Sequence, residues 1–185
     1  MIVYTKQVGL DNYGGELTEY FACTRPQGEP VEIGQSDTGD GEYPANFATS
    51  DLTISGTYVA DIQTSGMADA AGCAKYDPTA DCQASITSFV EVVDAKTHRR
   101  LQTTATSGIG PLAVSPLGAL AWVQSPGATS SSSPPTLQAV VLRRGAPRQL
   151  TGTIQTLDTG AIGSLSFSGL SLRWTNAGQA KSQTL

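Results

Sequence analysis

The feature that most constrains this chain is a pattern of short strands that returns along it. Residues 52–60 (LTISGTYVA), 112–122 (LAVSPLGALAW) and 165–174 (LSFSGLSLRW) share one design. Each alternates apolar and small polar residues, breaks at Ser-Gly or Pro-Leu-Gly, and alternates again. That is a strand, a tight turn and a second strand, called here a and b, with Gly supplying the positive φ of the turn. A second design follows: residues 19–33 (EYFACTRPQGEPVEI), 89–101 (FVEVVDAKTHRRL) and 137–150 (LQAVVLRRGAPRQL). Each reads as a strand c, a polar turn and a short outer strand d.

The order is then b-c-d over 1–34, a-b-c-d over 46–105, a-b-c-d over 109–152, and a-b-c over 161–185. Consecutive four-stranded antiparallel meanders are the blade unit of β-propellers. The expectation is a single all-β domain of propeller-like repeats, with a β-sandwich as the competing architecture. Fourteen strands amount to three and a half blades, so the chain also reads as a fragment of a longer propeller. Its open sheet edges make it a candidate for homo-oligomers.

Charge narrows the function. The net charge is −5, which argues against a basic nucleic-acid binder. No run approaches the roughly 20 apolar residues of a membrane-spanning helix. Residues 1–100 hold 15 acidic and 6 basic residues, and residues 101–185 hold 1 and 5. This asymmetry reads as a solvated surface or as head-to-tail contact between molecules.

Cysteine usage suggests a compartment. Cys73 and Cys82 flank a turn signal at Asp77-Pro78, and the single His98 is distant, so zinc lacks its ligands. A disulfide closing this segment is expected, which implies an oxidising environment. Cys23 lies in a strand-like run and reads as a buried free thiol. Met1 leads directly into the strand-like Ile2–Tyr4 run, with no export signal ahead of it. An extracellular or cell-envelope location is the expectation.

Four passages carry a resemblance: Tyr20 to Arg25 (YFACTR), Ile54 to Ala60 (ISGTYVA), Val92 to Arg99 (VVDAKTHR) and Ser164 to Gly178. From about residue 19 to 185 the chain resembles a group of uncharacterised exported actinobacterial proteins with propeller-like repeats. The resemblance implies a propeller-like fold and export, and it carries over no catalytic residues.

The longer segments fall between b and c or between d and a. In a meander these leave from one rim, where binding residues concentrate on a rigid scaffold. The rim segments carry Asp11, Glu16, Asp37, Asp40, Glu42, Asp69, Asp77 and Asp81, the candidate binding residues. Such carboxylates also suit Ca²⁺, best in Asp37 to Glu42, though that spacing is not an EF-hand. Catalytic signatures are sparse: His98 falls in a c–d turn at the other rim, and no G-x-S-x-G elbow or P-loop is present. Trp122 and Trp174 occupy matching b-strand positions and are expected to fill gaps between blades. The favoured function is a non-catalytic binding or scaffold module for a protein or glycan. The alternatives are an exported hydrolase with a carboxylate pair on the rim and a self-associating structural repeat.

Overall fold

A computed structural model describes residues 1–10, 15–25, 28–37, 47–65, 87–105, 108–126 and 133–185. Among the described residues the secondary structure is sixteen β-strands and no helix, so the chain is all-β. The strands form successive antiparallel sheets in chain order. Sheet 1 comprises β1 (Ile2–Leu10), β2 (Glu16–Cys23) and β3 (Val31–Asp37). Sheet 2 comprises β4 (Phe47–Ser55), β5 (Tyr58–Ser65), β6 (Thr87–Asp94) and β7 (Arg99–Ala105). Sheet 3 runs β8 (Ile109–Val114), β9 (Ala119–Gln124), β10 (Thr136–Val141) and then β13 (Gln155–Thr159). Between β10 and β13 the chain makes a small hairpin of β11 (Arg143–Arg144) and β12 (Leu150–Thr151). Sheet 4 comprises β14 (Ile162–Ser168), β15 (Ser171–Asn176) and β16 (Gln179–Thr184).

The meander order matches the repeat in sheets 1, 2 and 4. Sheet 3 differs from the expectation. Its outer strand is Gln155–Thr159, and residues 148–150, expected to be that strand, belong instead to the hairpin. Pro147, which cannot donate to a ladder, sits in the hairpin turn. The hairpin docks on the neighbouring sheet: Gln149 bridges Arg100 of β7, and Arg100 donates its backbone N–H to the Arg148 carbonyl at 3.2 Å.

Period-2 alternation packs each sheet on the next. Val59 and Val93 of sheet 2 meet Ala22, Val31 and Ile33 of sheet 1. From the opposite face of the same strands, Ala60, Val90 and Val92 meet Leu120, Trp122 and Val140 of sheet 3. Ala121, Val123 and Leu137 of sheet 3 meet Leu172 and Trp174 of sheet 4. Sheets 2 and 3, apolar on both faces, therefore lie inside a series of four. Both tryptophans are buried packing residues, as their matching positions suggested.

The a–b turns stack at one end. Gly56, Gly118 and Gly169 take φ values of 63°, 84° and 61°. The Ser115 hydroxyl donates to the Gly169 carbonyl and accepts from the Leu117 N–H at 3.1 Å. A Cβ on Gly56 would stand 3.1 Å from Pro116 Cα and 3.2 Å from its carbonyl oxygen. Gly178, with φ 80°, has open space where its Cβ would be. Gly56→Val is therefore expected to cost about 2 kcal/mol or more, and Gly178→Ala only about 1 kcal/mol. Urea unfolding of the two variants checks the difference, and equal costs would contradict the stacked-turn arrangement.

Candidate functional site

The b–c and d–a connections of sheets 1 and 2 leave from the end opposite the stacked turns, as the meander requires. The 142–154 connection is an exception: β10 ends beside Ala119 at the turn end, so the hairpin emerges there. Not all longer segments share one rim, because Gln155–Thr159, and not residues 148–150, pairs with β10 and leaves 142–154 as a long c–d connection. Of the expected binding residues, Glu16 opens β2 at the rim and is exposed. Asp37 closes β3 at the same rim and is buried at 7% exposure. Asp11, Asp40, Glu42, Asp69, Asp77 and Asp81 lie outside the described residues, as do Cys73 and Cys82. The Ca²⁺ candidate segment is described only at Asp37. Cys23 is buried and free.

The structure does bring two carboxyl groups together, at positions the sequence reading passed over. Asp61 of β5 and Glu91 of β6 are direct cross-strand partners on the face that meets sheet 1. Each is only 2% exposed. The register that sends Val59 and Val93 into this seam also sends Asp61, Gln63 and Glu91 there, because every second residue shares a face. The seam is thus apolar near the turns and polar toward the rim.

Glu91 is well served. Gln63 Nε2 donates to Glu91 Oε2 at 2.8 Å and to the Ile33 carbonyl at 3.0 Å. Arg100 Nη1 lies 3.4 Å from Glu91 Oε1, and Arg100 Nη2 donates to the Glu32 carbonyl at 3.1 Å. Arg100 thereby ties β7 to β3 across the seam. Among the described residues Asp61 Oδ2 has no hydrogen-bond partner. It faces Gly34, where a Cβ would stand 3.1 Å away and would also collide with the Thr49 side chain. Only Gly lets β3 approach so closely.

Burial, and then the like charge of Glu91, lift Asp61 to about 8. Burial also raises Glu91, opposed by Arg100 and Gln63. The geometry assigns the charge to Glu91, which has donors on both oxygens, and the proton to Asp61.

Successive residues of β7 point to opposite faces, so Arg99 reaches the other way. Its Nη1 donates to the carbonyls of Gly145 and Ala146 at 3.0 Å each and of Gln149 at 3.2 Å. His98, at φ 56°, completes the turn that Asp94 caps by accepting from Lys96 N–H at 3.0 Å and Thr97 Oγ1 at 2.7 Å. A second polar cluster closes the seam between sheets 3 and 4. Asp158 Oδ2 accepts from Trp174 Nε1 at 2.7 Å and pairs with Lys181 Nζ at 2.9 Å. Lys181, and then Trp174, hold the Asp158 carboxyl well below the usual carboxylate range.

Among the described residues no three His, Cys, Asp or Glu side chains gather as a metal site. Comparison with protein-family models, curated proteins and solved structures gives no match.

Proposed function

We propose that the chain is a non-catalytic binding or scaffold module. Its sheets follow one another as propeller-like blades, and a protein or glycan meets the rim of b–c and d–a connections. The observation that carries this reading is the division of labour along the strands. The a–b turns are locked against one another by Ser115, Gly56 and Pro116. The connections that can vary without disturbing this packing leave from the other end. We also propose export to the extracellular space or cell envelope, with Cys73 and Cys82 joined.

The hydrolase reading asked for two carboxylates facing each other on the rim. The pair present among the described residues, Asp61 and Glu91, is sealed inside a seam and tied to Gln63 and Arg100, a placement that suits a structural role. Self-association has its own support. Ile2, Tyr4 and Val8 of the edge strand β1 are 43%, 40% and 38% exposed, an apolar edge that a second copy would cover.

Ser65 and Thr87 are cross-strand partners, so a two-residue Asn-Gly turn can replace residues 66–86 without changing the register. That variant is expected to melt within a few degrees of wild type and to lose retention on whichever member of an immobilised glycan and protein panel holds the wild type. Undiminished retention would place the binding surface elsewhere.

A further inference from the structure

The end opposite the proposed binding rim carries a feature of its own. The 142–154 connection and the side of β10 enclose an open cavity of about 610 Å³. Its walls are Val141, Arg143, Thr151, Thr153, Gln155 and Leu185. Arg143 and Thr151 are cross-strand partners in the small hairpin. Arg143 is exposed and, among the described residues, has neither an ion pair nor a side-chain hydrogen bond.

The hairpin is fixed in place. Arg99 grips three of its carbonyls, and Leu150 is buried against the core between sheets 2 and 3. Residues 151–153 lie flat on β10 because Gly152 has no side chain: a Cβ there would meet the Val141 carbonyl oxygen at 2.6 Å. The cavity walls are thus held before any ligand arrives, which lowers the ordering cost of binding.

The chemistry of the walls is mixed in a specific way. A guanidinium fork matches the two oxygens of a carboxylate or phosphate. Two threonine hydroxyls and a glutamine amide can both donate to and accept from ring hydroxyls. Val141 and Leu185 offer an apolar surface to the C–H face of a ring. Arg143 brings its positive charge to this cavity in a chain whose net charge is −5, whereas Arg144, the cross-strand partner of the buried Leu150, lies on the other face of the hairpin. We propose that this cavity is a binding site for an anionic sugar unit, a uronate or a sugar phosphate, with its acid group on Arg143.

The test is calorimetric titration of the full chain with trigalacturonate, with glucose 6-phosphate and with neutral maltotriose. At least one acidic probe is expected to bind, and maltotriose to bind at least about tenfold more weakly. Binding of trigalacturonate alone identifies a carboxylate ligand, and binding of glucose 6-phosphate alone a phosphate ligand. Arg143→Gln is expected to lose about tenfold or more in affinity for the acidic probe with unchanged melting. Arg173→Gln, on sheet 4, is expected to change it less than about twofold. The variant with residues 66–86 replaced is expected to bind the acidic probe like wild type, which separates this site from the rim. Equal binding of neutral and acidic probes, an Arg143→Gln variant that binds like wild type, or no binding of either acidic probe at millimolar concentration would overturn the proposal.

Discussion

Asp61→Asn is expected to flatten the pH dependence of stability and to make the protein more stable than wild type in mild alkali. An unfolded Asp releases its proton near pH 4, whereas burial and the neighbouring Glu91 hold Asp61 protonated until about pH 8. Between those values the folded state binds more protons than the unfolded state. Stability therefore falls as pH rises, by up to about 1.4 kcal/mol per unit, and the contribution present below pH 4 is gone above pH 8. Burial sets this sign: Glu91 on the partner strand adds to it by opposing ionisation, and Gln63 and the Arg100 guanidinium only partly offset the two. An asparagine keeps the shape and cannot ionise. At pH 8.5 the variant is expected to be at least about 2 kcal/mol more stable than wild type, with a small difference at pH 4.5. Glu91, raised in the same direction, leaves a residual slope. Urea unfolding at pH 4.5, 6.5 and 8.5 measures this, and parallel curves for the two proteins would show that Asp61 is ionised in the fold.

Trp122→Ala is expected to cost about 3–5 kcal/mol, while Trp122→Phe costs far less. Trp122 is 2% exposed among Leu120, Val140 and Leu150 in the seam between sheets 2 and 3. Among the described residues its Nε1 has no hydrogen-bond partner, so phenylalanine removes a buried donor left unsatisfied by them together with part of the volume. Trp174 is the contrasting case. Its Nε1 donates to Asp158 at 2.7 Å, so Trp174→Phe loses a charge-assisted bond and is expected to cost more than Trp122→Phe. Thermal and urea unfolding of the four variants (Trp122→Ala, Trp122→Phe, Trp174→Ala and Trp174→Phe) checks the order. A Trp122→Phe variant as damaged as Trp122→Ala would mean that indole volume alone holds the seam.

The repeat was legible because its signals are local. Alternation marked the strands, and Ser-Gly and Pro-Leu-Gly marked turns that do take positive φ at Gly56, Gly118 and Gly169. Trp122 and Trp174 were legible as packing residues from their matching positions in the repeats, and both are buried. The outer strand of sheet 3 was not legible. Leu150 is apolar and correctly spaced, but it packs toward sheet 2, while the unremarkable Gln155–Thr159 takes the ladder place. Which of two short polar runs pairs with β10 is decided by contacts distant in sequence.

The Asp61–Glu91 pair was hidden for a related reason. A carboxylate at mid-strand looks like the exposed half of an alternating pattern. Sheet 2 buries both faces, so the outward half is also interior. Arg99 and Arg100 read only as the start of an outer strand, yet one holds the hairpin and the other spans the seam to sheet 1. No local spacing announces such roles.

The most direct test of the account is retention of three proteins on the same immobilised glycan and protein panel. They are the wild type, the Asp61→Asn/Glu91→Gln variant and the variant with residues 66–86 replaced by Asn-Gly. The account predicts that the first two are held by the same panel member without releasing product from it, and that the third, though folded, is not held. Product release by the wild type that vanishes in the Asp61→Asn/Glu91→Gln variant would contradict it, because the buried pair would then be catalytic.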